Sequence, residues 1–97
     1  MKTPSVSIVI PCYNEAKGVV RNLGEIFNAL NEKIDFEIIT INDGSTDKTL
    51  VLLEEYALQK PQVRVVNNSI NLGYGASLKK GIREAKGEII EIGRAHV

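Results

Sequence analysis

Near its start the chain reads Val6-Ser7-Ile8-Val9-Ile10-Pro11-Cys12-Tyr13-Asn14-Glu15. The first five residues are mostly apolar and β-branched, which predicts a buried strand. Pro11 has no backbone N–H, so we expect the strand to end there. Polar side chains follow at once, and open α/β sheets place their ligand-binding groups in such exit loops. A core strand followed by an ordinary surface loop fits this stretch equally well.

Strands and helices alternate along the rest of the sequence. Apolar, β-branched runs predict further strands over residues 36–41 and 63–66 and from residue 88 onward. Helical periodicity predicts helices over residues 16–31 and 48–60, with Leu53 and Leu58 on the buried face of the second, and a third helix opening at residues 72–75. This order predicts an α/β fold: a Rossmann-like, three-layer α/β/α arrangement around a mostly parallel sheet.

Composition and charge exclude several classes of protein. Twelve basic residues balance twelve acidic ones without a basic block, so we expect no nucleic-acid partner. A single cysteine, Cys12, and a single histidine, His96, exclude an intrachain disulfide and a Cys/His metal site. No apolar run reaches the ~20 residues of a membrane-spanning helix, and the start does not resemble a signal peptide. We therefore expect a cytoplasmic chain with no membrane-spanning segment.

The last seven residues, 91–97, break the pattern. A fourth buried strand should continue with apolar residues, yet Glu, Gly, Arg and His appear among the residues after Ile90. We therefore expect the domain to comprise residues 1–90 and the segment 91–97 to be a tail foreign to it. A natural, polar C-terminus is the alternative.

Acidic side chains are expected at one edge of the sheet. If the first two strands are neighbours, Glu15 and Tyr13 lie beside Asp43. Paired carboxylates suit acid–base hydrolysis, and they also suit acceptance of hydrogen bonds from a nucleobase packed near the tyrosine ring. For Asp43, which directly follows the strand, we favour binding over a purely local role. For Asp47 we favour shaping of the turn and capping of the next helix.

The segment Gly73-Tyr74-Gly75 precedes the predicted third helix. Free backbone N–H groups at a helix start favour anions, but a tight turn is the commoner use of such a segment. It follows the third strand and has no third glycine in place, so it is not a dinucleotide-binding fingerprint. Lys79 and Lys80 are expected on the solvated face of the helix, although one of them could approach a pyrophosphate.

Four segments of the sequence, in order and spacing, resemble the family 2 glycosyltransferases. They are residues 7–15, ending in Pro11-Cys12-Tyr13-Asn14-Glu15; residues 42–47, Asn42-Asp43-Gly44-Ser45-Thr46-Asp47; residues 71–82, containing Gly73-Tyr74-Gly75-Ala76-Ser77; and residues 87–90, Gly87-Glu88-Ile89-Ile90. The third segment is most similar to dolichol-phosphate mannose synthase-like enzymes, which make polyprenyl-phosphate sugars.

The resemblance implies a GT-A fold whose N-terminal half, truncated here at the fourth strand, binds a UDP- or GDP-linked sugar. It implies that Pro11, Tyr13 and Glu15 line the nucleoside pocket, that Ile41 packs near the base and that Asp43 accepts a hydrogen bond from a base N–H. The family usually has two consecutive aspartates where this chain has Asn42-Asp43. The retained aspartate matches the base-contacting one.

The resemblance also implies parts that this chain lacks. In the family, an Asp-x-Asp motif after the fourth strand holds Mg²⁺ or Mn²⁺ on the donor pyrophosphate, whereas this sequence continues Glu91-Ile92-Gly93-Arg94. We therefore expect no metal-binding and no catalytic residue here, and an inactive chain. The implied longer parent is an inverting glycosyltransferase with a polyprenyl or dolichyl phosphate acceptor, at the cytoplasmic face of the membrane. The alternatives are a non-catalytic α/β nucleotide- or anion-binding module, and a chain that does not fold stably.

Overall fold

The computed structural model describes residues 3–30 and 33–93, in which four strands alternate with three helices. In chain order they are β1 (Val6–Cys12), α1 (Val19–Leu30), β2 (Phe36–Asp43), α2 (Thr49–Gln59), β3 (Val63–Asn68), α3 (Tyr74–Glu84) and β4 (Ile89–Ile92). The predicted end of the first helix at residue 31 and the end of the predicted tail, residues 94–97, lie outside the described residues.

The strands form one sheet in the order β3-β2-β1-β4, and every neighbouring pair is parallel. The register pairs Val6 with Phe36 at one end of β1 and Cys12 with Asn42 at the other. The carboxyl ends of the two central strands therefore lie side by side. For the described residues, the prediction of a three-layer α/β/α fold with a parallel sheet is confirmed.

One face of the sheet is covered by α1 and α2. The side chains of Ile8, Ile10 and Ile38 alternate toward this face and pack with Leu23 of α1 and Leu53 of α2. This cluster is the larger part of the hydrophobic core. The apolar positions of α1 recur with the helical period, which is why this helix buries one stripe against the sheet.

The other face of the sheet is covered by α3. Here Val9, Ile39 and Ile41 are fully buried and pack against residues of α3. A Cβ atom added to Gly81 would overlap the side chains of Val9 and Ile41. Glycine at this position therefore lets α3 lie unusually close to the sheet.

Pro11 does not end β1, contrary to the prediction. The N–H groups of Ile89 and Gly93 donate to the carbonyls of Ser5 and Val9, so the odd-numbered backbone groups of β1 face β4. The last residue pair between these strands is Val9 with Ile92. Pro11 lies two residues further on, beyond that pair, where the ladder requires no N–H group.

Three strands run further than the sequence pattern predicts. β2 includes Asn42 and Asp43, and β3 includes Asn67 and Asn68, because polar residues continue the parallel ladder at its carboxyl end. β4 extends to Ile92, two residues into the segment that we expected to be a foreign tail. Within residues 3–30 and 33–93, no helix has the length and apolar character needed to cross a membrane.

Candidate functional site

The five residues predicted to bind a nucleotide all lie at or near the carboxyl ends of β1 and β2. Pro11 and Ile41 are partners in the strand register, and Tyr13 and Glu15 follow in the exit loop of β1. Tyr13 is 48% exposed, whereas Ile41 is fully buried and Asp43 is 3% exposed. At this edge Tyr13 is therefore exposed, whereas the side chains of Ile41 and Asp43 are buried.

The carboxylate of Asp43 is surrounded by hydrogen-bond donors. Its Oδ1 accepts from the backbone N–H of Leu72 at 2.7 Å and from the side-chain amide of Asn68 at 3.1 Å. Its Oδ2 accepts from the backbone N–H of Gly73 at 3.0 Å and from the side-chain amide of Asn71 at 3.3 Å. Together with the hydroxyl of Ser77, these donors fill the acceptor capacity of a carboxylate, and they tie the end of β2 to the segment before α3.

These donors keep Asp43 ionised. Burial alone would raise the pKa of this carboxyl, but the hydrogen bonds from Leu72, Asn68, Ser77 and Gly73 outweigh burial and hold its pKa below the ordinary value. The N-terminal end of a helix attracts a negative charge. At the start of α3 this charge is the carboxylate of Asp43 rather than a bound ligand. The segment around Gly73, considered in the sequence as a possible anion site, uses its N–H group on this internal carboxylate.

Asp47 links the exit loop of β2 to that of β1. Its Oδ1 accepts from the backbone N–H of Thr49, the first residue of α2, at 2.9 Å. Its Oδ2 accepts from the backbone N–H of Ala16 at 3.2 Å. Burial acts against ionisation here too, and the bonds from Thr49 and Ala16 hold the pKa of Asp47 below its ordinary value. The residue shapes its own turn and also reaches across to the loop after β1.

Several polar residues at this edge were missed by the sequence reasoning. Asn68 ends β3 and bonds both Asp43 and the hydroxyl of Ser77, at 3.0 Å. Lys80, which we expected on the solvated face of α3, donates from Nζ to Asn68 Oδ1 at 2.6 Å. The sequence did indicate a role for Asn68, because the polar pair Asn67-Asn68 ends β3 in the same way as the polar pair Asn42-Asp43 ends β2.

A cleft of about 340 Å³ opens beside the exit loop of β1. It is lined by Asn14, Glu15, Lys17, Gly18, Arg21 and Asp47. Both signs of charge are present in its walls, negative from Glu15 and Asp47 and positive from Lys17 and Arg21.

The described residues do not provide a site for Mg²⁺ or Mn²⁺. Within residues 3–30 and 33–93, no group of three or more His, Cys, Asp or Glu side chains is close enough together to hold a metal ion. The oxygens of Asp43 and Asp47 already accept hydrogen bonds from the protein. A divalent ion prefers several hard oxygen ligands, so this part of the chain does not fit one.

The fold and this edge define an open parallel α/β sheet, a class in which ligands bind at the carboxyl ends of the strands. The family model described as glycosyl transferase family 2 matches residues 7–92. The chain belongs to this family, as the resemblance in its motifs predicted. The family match and β4 both end at residue 92.

Relatives in the family have several named activities. The chain is 37% identical over 90 residues to a dolichyl-phosphate beta-glucosyltransferase of Trichomonas vaginalis, covering 87% of this chain and 27% of that protein. It is 39% identical over 87 residues to a chondroitin synthase of Escherichia coli, covering 89% of this chain and 12% of that protein. The chain therefore spans about a quarter, or less, of the length of these relatives.

Solved structures with the same fold carry ligands. A mannosyltransferase from Pyrobaculum calidifontis, in complex with GDP-Man and Mn²⁺, matches with a TM-score of 0.85 and 27% identity, covering 98% of this chain and 28% of that chain. TarS of S. aureus, residues 1–349 in complex with UDP-GlcNAc, matches with a TM-score of 0.82 and 26% identity, covering 94% of this chain and 26% of that chain. The expected GT-A fold is thereby confirmed for the described residues of this chain.

Proposed function

We propose that this chain is the nucleotide-sugar-binding part of an inverting glycosyltransferase. The observation that carries the proposal is the meeting of β1 and β2 at the ligand edge of the sheet, with Pro11, Tyr13 and Glu15 beside Ile41 and Asp43. Open α/β sheets bind their ligands at this edge. Membership of glycosyl transferase family 2 supports the same assignment.

In this proposal Tyr13 and Pro11 form the wall against which the base packs. The tyrosine ring is half exposed and stands at the strand exit, so it offers a flat apolar surface to a planar ring. Glu15 lines the same wall. Ile41 supports this wall from within the core, since its side chain is fully buried against α3.

Asp43 accepts the base N–H in the proposed complex. Because its four acceptor positions are already filled, one present donor must give way. The side-chain amide of Asn71 has the longest of these bonds, at 3.3 Å. In the proposed complex it gives up this bond and keeps its second one, to the backbone carbonyl of Asp43 at 3.1 Å. The backbone donors Leu72 and Gly73 cannot leave without moving the start of α3.

The donor and the acceptor follow from the relatives. GDP-Man and UDP-GlcNAc are bound by the solved neighbours, which supports a GDP- or UDP-linked sugar as donor. A dolichyl-phosphate relative supports a lipid phosphate as acceptor of the longer parent. Mn²⁺ in one neighbour supports a divalent ion in the parent. The ligands of this ion would have to come from outside the described residues.

Binding of UDP and GDP by the purified 97-residue chain tests the proposal. A ligand that binds only the native state raises the melting temperature, and calorimetry gives its dissociation constant. The variant Tyr13→Ala should weaken binding about tenfold through loss of the stacking surface. The variant Ile34→Ala is the matched control, since Ile34 is a similarly exposed apolar side chain, 42% exposed, near the opposite edge. No binding of either nucleotide would refute the proposal.

The alternative is a non-catalytic module that uses the same edge for a nucleotide or another anion. It is favoured by one observation, the lack of a metal-holding cluster within the described residues. The two proposals differ in the native sequence that follows Ile92: an Asp-x-Asp motif there supports the enzyme, and a stop codon there supports the module. We predict that the isolated chain is catalytically inactive. Metal-dependent transfer of a sugar to a polyprenyl phosphate by this chain would contradict that prediction.

A further inference from the structure

The exit loops of β1 and β2 are joined by a row of hydrogen bonds. Three consecutive backbone N–H groups donate across the gap: Asn14 to Ser45 Oγ at 3.0 Å, Glu15 to Thr49 Oγ1 at 2.9 Å, and Ala16 to Asp47 Oδ2 at 3.2 Å. We call these contacts, together with those of the Asn14 side chain, the loop clamp. The acceptors of these three N–H groups lie in the segment between β2 and α2 and at Thr49, the first residue of α2.

Asn14 lies at the centre of the loop clamp. Its Oδ1 accepts from the backbone N–H of Thr46 at 2.8 Å and of Asp47 at 3.3 Å, and from the Thr46 hydroxyl at 3.3 Å. Its backbone has φ of 52°, and among the described residues it is the one non-glycine residue in the left-handed region. Asparagine tolerates this region better than most residues. The bend and the side-chain contacts therefore come from the same residue.

This residue stands between two residues of the proposed pocket. Tyr13 precedes the bend and Glu15 follows it, so the conformation of Asn14 sets the direction in which the chain carries both. We infer that Asn14 is a positioning residue for nucleotide binding, acting through the loop clamp rather than by touching the ligand. This inference rests on the proposed function.

The loop clamp lies at the protein surface, so its effect on the positions of Tyr13 and Glu15 can be separated from its effect on the stability of the fold. Asn14 is exposed, and its partner Thr46 is exposed as well. Hydrogen bonds that compete with water at the surface contribute little to the free energy of unfolding. Loss of the Asn14 side chain should therefore alter the placement of Tyr13 and Glu15 more than it alters the stability of the fold.

The test compares Asn14→Gly with Asn14→Asp. Glycine keeps the left-handed backbone but removes the acceptor oxygen, whereas aspartate keeps both the acceptor and a tolerable backbone. Ser45→Ala provides a second, milder disruption of the same clamp. Ser7→Ala is the control for stability alone, because Ser7 is buried and its hydroxyl bonds Glu37 and Gly87. Affinity for UDP and GDP is measured at about 0.15 M and at about 1 M salt, so that a long-range effect of the added charge of aspartate shows as a dependence on salt, and the melting temperature is recorded for each variant.

Asn14→Gly should raise the dissociation constant about tenfold, the effect of one or two lost hydrogen bonds. Asn14→Asp should stay near the unaltered chain, Ser45→Ala should lie between them, and Ser7→Ala should lower the melting temperature without changing affinity. The inference is overturned if Asn14→Gly binds as well as the unaltered chain, if aspartate fails to rescue binding, or if affinity merely follows melting temperature across the four variants. Failure of the unaltered chain to bind either nucleotide would refute the proposed function itself, and this inference with it.

Discussion

Asp43 Oδ1 accepts a hydrogen bond from the backbone N–H of Leu72 at 2.7 Å, across 29 residues of sequence. The contact joins the carboxyl end of β2 to the segment that leads into α3. A Cβ atom added to Gly44 would overlap the backbone of Ile70 and Asn71, so the two segments also touch directly beside this bond. The predicted ligand edge is thus held together by a buried charge.

Asp43→Asn should destabilise the chain by about 1–3 kcal/mol, because an asparagine cannot accept from the N–H groups of both Leu72 and Gly73. At least one of these two backbone N–H groups would then face the side-chain NH2 group of the asparagine, which is also a donor, and would lose its acceptor. Urea unfolding measures the loss, with Glu88→Gln as an exposed control that should be neutral. An unchanged free energy of unfolding for Asp43→Asn would show that these bonds contribute nothing to stability.

Gly81→Ala should also destabilise the chain, by about 1–3 kcal/mol, since the added methyl group would overlap Val9 and Ile41. Gly24 is the matched control. It lies inside α1 with nothing within 4 Å of an added Cβ, so Gly24→Ala should be neutral or stabilising by up to about 1 kcal/mol. Thermal and urea unfolding of both variants compare the two sites. Equal effects at both would contradict the close approach of α3.

The stability of the chain should fall in acid. Burial would raise the pKa of Glu37, but hydrogen bonds from Ser7, Lys86 and Arg64 outweigh it and hold the pKa below the ordinary 4.5. The unfolded chain therefore takes up this proton at a higher pH than the folded chain does. The stabilisation is complete above about pH 4.5 and is lost as the pH falls through the folded pKa.

Glu37→Gln isolates this contribution. Asp43 and Asp47 also have lowered pKa values, so the variant should still lose stability in acid, but along a shallower curve. The measurement is the free energy of unfolding as a function of pH, with Glu88→Gln as the control. If Glu37→Gln and the unaltered chain lose stability in parallel, the assigned role of Glu37 is incorrect.

Cys12 should be inert while the chain is folded. Burial, with a smaller contribution from the charge of Glu15, raises the pKa of its thiol to about 12. Reaction with a thiol reagent at mildly alkaline pH should be at least about a hundredfold slower than in the unfolded chain. The same assay in concentrated guanidinium chloride is the control. Rapid reaction under native conditions would mean that β1 opens readily, in favour of a chain that folds poorly.

The sequence predicted the order of elements well because periodicity reports which face of each element is buried. It was less successful where burial depended on a neighbour. Leu58 was expected on the buried face of α2, yet it is 88% exposed. Tyr56 packs there instead, with its ring 6.0 Å from that of Phe27. The apolar residues of α2 are spread around the helix, so the pattern could not say which of them α1 would cover.

At the site, the strand ends predicted which residues would meet but not how they would bond. Asp43 and Glu15 could be placed at one edge from strand order alone. The loop clamp of Asn14 joins residues more than 30 positions apart, and such contacts depend on how two loops lie in space. Pro11 was misjudged for a similar reason, since its place inside β1 depends on where β4 ends.

The carboxyl edge of β1 and β2 is the proposed nucleotide-binding site. Titration of the isotopically labelled chain with UDP and with GDP, followed by amide chemical shifts, tests it most directly. We expect one of the nucleotides to shift the amide resonances of Tyr13, Asn14, Glu15 and Gly44, while those of Glu37 and Lys86 at the opposite edge stay in place. Shifts confined to the opposite edge, or none with either nucleotide, would contradict it.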